Sequence, residues 1–535
     1  MLSTNLFTSI AKKYKYFNSE TIFLSAIILI AIIFRLKDID FIKPYFLILD
    51  EYRAINASLT IIQTGNLHPN IQIYGSFPIY FFSFLYLIIL GFLWLFTSNL
   101  NFSDYIANIN PYSSEILLSI GRYSSLIFSL ISILLCYKIA KILFNRNTAL
   151  LAAIFLALSP LHILFSVIFK YDMFLLLWIL LSFYFSLKIL HQDNRKYYFF
   201  TGIFIGMSLA TKYNFFTYFP LFVAHLIRKK HFKSFFDFNI FIACYVSIVT
   251  FSILCPFIFL DSYNYISKLL YEFKIVQQFS PFANIKYANI IFSPFFTQIF
   301  ILFPLIINPF IFIYSILGIW IFATNNYRFL FHFLSFPILY FLFTIISSSI
   351  VAPYFYLPIL PYLTILGSLV IQYYYFNKNK IIKYLNICFL FFIILFYLSN
   401  LFVPHYLSHF QVIESAIKWT KDNIPKDKTV ISHWGLINSG KFEFKEIYFM
   451  RNSVVPKFGL NDVDYYKPDY LILLNYKSYS TLAPSYWELI SKLKEDKIPN
   501  YRRIKEFKGN PLWLLISSKI FPDLDASILI FKKIS

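Results

Sequence analysis

Apolar runs recur along roughly the first 400 positions, among them 21–36, 78–97, 117–137, 149–168, 173–190, 197–211, 214–227 and 289–304. Their lengths suit helices that enter or cross a hydrocarbon core of ~30 Å. From about residue 405 the pattern changes. Charges become dense, and alternating stretches (Val430–Ser432, Tyr470–Leu474, Ile528–Phe531) interleave with helical ones (Val412–Lys421, Tyr486–Leu493). A period of two marks strands, and a period near 3.6 marks amphipathic helices. The pattern predicts an α-helical polytopic membrane domain over 1–404 and a small soluble α/β domain over 405–535.

Loop charges order the spans. Cytoplasmic loops of membrane proteins collect Lys and Arg. Inside-facing candidates are Lys12–Lys15, Lys138/Lys141/Arg146, Lys188/Arg195/Lys196, Arg228–Lys233, Arg328 and Lys378/Lys380/Lys383. Between consecutive clusters the chain must leave and return. The intervals Arg146–Lys188 and Lys196–Arg228 each hold two apolar runs and fit that rule. Two intervals hold one run too many. The loop 98–114 contains Asp104 but no Lys or Arg, so 78–97 is expected to dip into the outer leaflet or lie along it. The run 289–304, broken by Pro294 and Pro304, is read the same way. About eleven spans remain, which puts the N-terminus in the cytoplasm and the region after 404 outside the inner (plasma) membrane. No small-residue cleavage site follows the first run, so it reads as an uncleaved span.

Composition agrees: 59% of the 535 residues are hydrophobic, 14% are charged, and the mean hydropathy is +0.64. A soluble protein needs a far more charged surface. The net charge of +21 invites a nucleic-acid reading, but the basic residues sit in short clusters between apolar runs and on the tail. That distribution serves membrane orientation and excludes nucleic acid as a partner. All four cysteines lie in apolar segments, so the tail folds without disulfides. No internal repeat is visible, which weighs against many transporter folds.

An ionisable residue at a span end is a candidate functional residue. Asp172, in FKYDMFLLLW, is the one acid between Glu115 and Asp193 and stands at the outer end of a span. Its bland alternative is an interfacial residue, solvated or paired with Lys170. Asp50 and Glu51, in LDEYRAINASL, could equally be first-turn acids favoured by a helix dipole. Lys212, in SLATKYNFF, lies on the outer side, where the positive-inside rule disfavours a lysine. A snorkelling boundary residue is its alternative; a fixed cation able to hold a lipid phosphate is the functional reading. The charge argument, made without reference to catalysis, puts Asp50, Glu51, Asp172 and Lys212 on one side.

The run DEYRAINASLTIIQTGNLHPNIQIYGSFPIYFF resembles the first outer loop of the GT-C glycosyltransferases, in the protein O-mannosyltransferase and lipid A aminoarabinose transferase group. There an Asp-Glu pair precedes an alanine-containing helix, a Gly-Pro turn and a Tyr-Pro segment. Thr64–Pro69, Tyr74 and Pro78 fill those places. Arg122 in GRYSS, Ser159-Pro160, Asp172 and Thr211-Lys212 follow in the family's order, as do YLPILPYLTILG at 356–367 and WTKDNIPKDKTV before the outer domain. Tyr354 stands near where members often carry an arginine of the phosphate clamp, and Leu49 where many have proline.

The resemblance implies a GT-C fold of about 11–13 transmembrane or membrane-embedded helices, a polyprenyl-phosphate-linked sugar donor, and inverting single displacement onto an acceptor hydroxyl. Asp50 would be the general base, Lys212 the cation on the leaving phosphate, and Glu51, Tyr74 and Asp172 substrate contacts. A hydroxyl needs a base and a phosphate leaving group needs no acid, so that set suffices. The acceptor is a lipid, glycan or protein hydroxyl. No His/Asp cluster has ligand spacing, so neither metal nor cofactor is expected. A flippase of lipid-linked saccharides, or a polysaccharide polymerase or ligase, remains an alternative function.

Overall fold

The computed structural model describes residues 2–40, 49–69, 74–111, 114–230, 237–268, 270, 307–347, 353–376, 379–402, 405–432, 446–449, 460–475, 484–498, 500–508 and 527–534. The membrane part opens with helices α1 (Leu2–Ile39), α2 (Leu49–Thr64), α3 (Phe77–Thr97), α4 (Phe102–Ala107) and α5 (Glu115–Leu143). It continues through α6 (Arg146–Leu158), α7 (Pro160–Val167), α8 (Tyr171–His191), α9 (Arg195–Lys212), α10 (Tyr218–Lys229) and α11 (Phe238–Leu254). Further helices run over Pro309–Ser347, Leu360–Tyr375 and Lys380–Phe402. The chain is a multi-pass membrane protein.

Among the described residues six helices are long and apolar enough to cross a membrane, or seven if the bent α6–α7 pair forms one span. The sequence pattern led to about eleven. The difference falls on α9, which carries three charges in its 18 residues, on α10, α11 and the helix Leu360–Tyr375, each shorter than a span, and on the break inside Pro309–Ser347. Asn326, with φ −159° and ψ 82°, interrupts that helix two residues before Arg328, where a cytoplasmic turn was expected. The run 78–97, expected to lie in or on the outer leaflet, forms the continuous 21-residue α3, which by length and composition could span. The run 289–304 lies outside the described residues.

The single apolar run expected over 149–168 is broken. Helices α6 and α7 meet at a 57° bend at Ser159-Pro160, because proline lacks an N–H and its ring blocks continuation of the preceding helix. Arg35, fully buried, occupies the bend. Its Nη1 donates to the carbonyls of Ala31 (2.9 Å) and Ala157 (3.1 Å), and its Nε to Ser129 Oγ at 3.1 Å. Its Nη2 lies 2.8 Å from His162 Nδ1, whose Nε2 is 2.8 Å from Ser132 Oγ. The guanidinium thus takes up a carbonyl that the end of α6 leaves without an intrahelical donor.

Helix α9 packs tightly on α11 through small residues. A Cβ on Gly202 would lie 2.4 Å from the Ala243 carbonyl oxygen, and one on Gly206 2.6 Å from that of Ser247. Such close approach gives van der Waals cohesion where lipid removes the hydrophobic incentive to associate. It also fixes the axis of the helix that ends at Lys212.

Beyond the helix His405–Asn423, five strands form one sheet in the order β2-β1-β3-β5-β4: β1 Thr429–Ser432, β2 Glu446–Phe449, β3 Tyr470–Asn475, β4 Tyr501–Lys508 and β5 Ser527–Lys533. β1 is parallel to β2 and β3, while β5 is antiparallel to β3 and β4. The helix Pro484–Lys494 packs Tyr486, Leu489 and Ile490 into a core with Ile431, Leu471, Leu473 and Ile528–Phe531. The three strands read from the sequence are β1, β3 and β5, the interior of the sheet. The two not read, β2 and β4, are its edges. In β4 the run YRRIKEFK carries charges at most positions, as edge strands do to discourage pairing with other chains.

Candidate functional site

Asp50 and Glu51 open α2, and successive helical residues diverge by about 100°. The two carboxylates therefore face different surroundings. Glu51 points inward and is fully buried. Arg122 of α5 grips it in a fork, Nε to Oε1 at 2.8 Å and Nη2 to Oε2 at 3.0 Å, while the Phe169 backbone N–H donates to Oε1 at 3.0 Å. Arg122 Nη1 also donates to the Ile39 carbonyl at 3.2 Å. Beside it, Gly121 makes room for the Phe169 ring, whose Cγ would lie 2.3 Å from an added Cβ. One ion pair thus joins the end of α1, the start of α2, the N-terminal part of α5 and the connection between α7 and α8.

Asp50 faces the other way and keeps 27% of its side chain exposed. Lys170, from the extended link between α7 and α8, places Nζ 3.2 Å from Asp50 Oδ2 and 3.8 Å from Asp172 Oδ2. Asp172 sits in the first turn of α8, as Asp50 does in α2, so both carboxylates lie where helix amides favour negative charge. Lys212, in the last turn of α9, reaches Asp172 Oδ1 at 2.6 Å. Arg53 stands at the rim, 4.0 Å from Asp50 Oδ1. Two acids and two lysines therefore form one alternating cluster, Asp50–Lys170–Asp172–Lys212.

Aromatic faces complete it. Lys170 Nζ lies 3.5 Å from the Tyr354 ring centroid, and Lys212 Nζ lies 5.2 Å from that ring and 4.9 Å from that of Tyr74. Such faces attract cations without neutralising them. Tyr74 is held by its backbone: its carbonyl accepts from the hydroxyls of Tyr213 (3.1 Å) and Tyr265 (3.3 Å), which also touch each other. Gly75 N–H donates to the Thr211 carbonyl at 3.1 Å, and a Cβ on Gly75 would fall 1.8 Å from the Ala210 oxygen. Only glycine permits that approach. Tyr213 ends α9 in a left-handed conformation (φ 51°, ψ 38°), which turns the chain directly after Lys212.

Of the residues singled out in the sequence, Asp50, Tyr74, Asp172 and Lys212 come together here. Glu51 does not join them; it braces the cluster from beneath. Lys170, Arg53 and Tyr354 complete the group. Lys170 entered the sequence reading merely as a possible partner of Asp172, although it is an outer-boundary lysine by the same rule that drew attention to Lys212. Tyr354 was noted as a missing arginine, yet its ring is what both lysines share. Among the described residues no group of three or more His, Cys, Asp or Glu is gathered as a metal site.

The profile of the dolichyl-phosphate-mannose-protein mannosyltransferase family matches residues 119–259, the stretch that holds Arg122, Lys170, Asp172 and Lys212. No curated protein matches the sequence at significant similarity. Among solved structures the chain is similar to ArnT from Cupriavidus metallidurans bound to undecaprenyl phosphate, at 13% identity and a TM-score of 0.50, over 95% of this chain and 97% of that one. It is also similar to the oligosaccharyltransferase AglB from Archaeoglobus fulgidus in complex with an inhibitory peptide and a dolichol-phosphate, at 13% identity and a TM-score of 0.52, over 95% of this chain and 81% of that one. Identities this low carry the fold, and it extends over nearly the whole chain.

Proposed function

We propose that this chain, which has the GT-C fold, is an integral membrane glycosyltransferase that moves a sugar from a polyprenyl-phosphate carrier to an acceptor hydroxyl by inverting single displacement. One observation carries the reading: a part-exposed carboxylate, Asp50, shares a cluster with two lysines ringed by Tyr74 and Tyr354. Base and cationic clamp are what this transfer requires. The family profile over 119–259 supports it, and so do relatives solved with undecaprenyl phosphate and with dolichol-phosphate.

The acceptor oxygen attacks the anomeric carbon from the face opposite the phosphate. The new C–O bond forms as the anomeric C–O(phosphate) bond breaks, and its electron pair goes to the phosphate oxygen. The hydroxyl proton passes to the Asp50 carboxylate, because the alcohol is far too weak an acid to leave unaided. Lys212 faces the phosphate and offsets the charge it gains. Asp172 orients Lys212, and Tyr74 lines the same space. Glu51 and Arg122 hold Asp50 and the Lys170 segment in register, a positioning role and not a substrate contact. The reading needs no metal and no cofactor.

The same helices support an orientation. α8 carries Asp172 in its first turn and Lys188 in its last; α9 begins at Arg195 and ends at Lys212. At ~1.5 Å per residue the two ends of either helix are about 25 Å apart, so the cluster and the basic loops lie near opposite membrane faces. With basic loops in the cytoplasm, the site and 405–535 face outward, 1–404 forms the transferase domain, and 405–535 is its extracytoplasmic domain. A reporter active only outside, fused after 404 and after 230, is expected to respond in the first fusion alone.

The direct test is turnover by the purified full-length chain across a panel of polyprenyl-phosphate sugars, with product stereochemistry read by NMR. An inverted glycoside and free polyprenyl phosphate are expected. Comparing surface glycolipids and glycoproteins by mass spectrometry in cells with and without the gene then names sugar and acceptor. Release of intact lipid-linked saccharide to the other leaflet, with no bond broken, would instead mean a flippase.

A further inference from the structure

We infer that Lys170 is a second cation of the donor site, held in reserve on Asp50, and that the donor phosphate uncovers the base by drawing Lys170 away from it. The inference rests on the reading of the cluster as a polyprenyl-phosphate-sugar site.

Three observations carry it. First, Lys170 is shared. Its side chain is 8% exposed, yet its ammonium group is divided between Asp50 at 3.2 Å and Asp172 at 3.8 Å and sits 3.5 Å from the Tyr354 ring centroid. A cation so placed is stabilised from several sides and committed to none, and it can move between acceptors along the aromatic face at small cost. Second, Asp172 is incompletely satisfied: its Oδ2 makes no hydrogen bond, although its Oδ1 is bound by Lys212. Buried polar oxygens normally find partners, so this one marks a contact left open for a rearranged state. Asp172 can receive Lys170 when Asp50 loses it. Third, Asp50 is engaged by Lys170 and faces Arg53 at 4.0 Å. A carboxylate whose lone pair points at an ammonium group is a poor proton acceptor for an incoming alcohol.

A phosphate entering beside Lys212 adds negative charge within reach of Lys170. That charge competes with Asp50 for the ammonium group, since attraction scales with charge and falls with distance. The exchange has two consequences. Lys170 joins Lys212 on the phosphate, so two cations meet the charge that develops there. Asp50 is released toward the acceptor at the moment the donor is in place. Donor therefore precedes acceptor, and a base without a donor stays covered.

The test measures affinity for undecaprenyl phosphate, the sugar-free lipid, on the full-length chain in nanodiscs. Asp50→Asn removes the competing charge and should tighten binding about 5- to 10-fold, while Lys170→Met should loosen it about tenfold. Adding Asp50→Asn to Lys170→Met should then change affinity less than about twofold, because the competition has lost its object. A merely structural lysine would give no such coupling. If Lys170→Met does not fold, Lys170→Gln takes its place in the same cycle, with Lys170→Arg expected to preserve the tightening. Unchanged or weaker binding in Asp50→Asn, or full tightening that persists without Lys170, overturns the exchange. Should Lys212→Ala still weaken binding in that case, the donor-site reading stands without it. If Asp50→Asn, Lys170→Met and Lys212→Ala all leave the affinity unchanged, the donor-site reading itself falls.

Discussion

Asp50 and Glu51 are neighbours in sequence, yet they anchor two ionic clusters of opposite character. Glu51 and Arg122 are both fully buried and joined by two parallel hydrogen bonds, the Phe169 N–H and the Ile39 carbonyl add one each, and no side-chain nitrogen or oxygen of either residue is without a partner. Nothing there is left over. The cluster around Asp50 is part-exposed, shares its lysines between acids, and leaves Asp172 Oδ2 unbonded. A pair satisfied on every side fixes geometry and resists change, because either partner alone would be a buried bare charge. A pair satisfied in part can trade partners with a ligand. The chain uses the first kind as a floor and sets the second kind on it.

That contrast breaks most visibly at Arg122. Arg122→Leu leaves Glu51 buried and unpaired, and should cost about 3–5 kcal/mol of stability, read by thermal unfolding in detergent. Leucine at both Glu51 and Arg122 should recover much of the loss, since two apolar groups leave no orphaned charge. Lys170→Met, in the open cluster, should unfold within a few degrees of the parent protein. Equal losses at Arg122 and Lys170 would erase the distinction between the two clusters.

The next largest effect is expected at Gly75. Its alanine variant must push the 74–76 segment off the Ala210 carbonyl, at roughly 1–3 kcal/mol, and carry Tyr74 away from Lys212. Donor affinity should fall with stability here, whereas Tyr74→Leu should lower affinity alone. Lys212→Ala comes third, weakening binding of a polyprenyl-phosphate sugar about tenfold with little change in melting temperature.

The smallest lies in the C-terminal sheet. Burial raises the carboxyl of Asp469, but the Thr429 N–H and hydroxyl, each 2.9 Å away, together with Lys428 and Lys533, more than offset this and hold it below the ordinary range. A depressed carboxyl stabilises the fold above its unfolded pKa of about 4 and loses that contribution as pH falls through its lower folded value. Asp469→Ala should therefore destabilise 405–535 by about 1 kcal/mol at neutral pH. The difference should shrink in acid, as followed by circular dichroism melts.

How much of this was legible beforehand follows from how each feature is encoded. The interior strands β1, β3 and β5 announce themselves because buried strands concentrate apolar residues; the charged edge β4 does not. Asp172 and Lys212 stood out because a charge in an apolar run is rare. Their meeting with Asp50 is a contact between α2, α8 and α9 that no local pattern records, although the shared sidedness derived from loop charges pointed to it. Glu51 looked like Asp50 in the sequence, and a rotation of about 100° around the helix separated their fates. The bend at Pro160 was readable in principle, since proline stops helices, but the apolar run continued across it. Arg35, a cation at the end of the first apolar run, carried the same signal as Lys212, but its use depends on a carbonyl freed by that bend, which no local pattern records.

The central claim is that Asp50 accepts the proton of the acceptor hydroxyl. The most direct measurement is the single-turnover rate of Asp50→Asn at saturating polyprenyl-phosphate sugar, with donor affinity measured on the same protein. Asparagine keeps the size of the side chain but cannot take a proton, so transfer should slow by roughly 10²–10⁴-fold while donor binding is retained or tightened. Turnover within a few-fold of the parent protein would remove Asp50 from the chemistry and contradict the account.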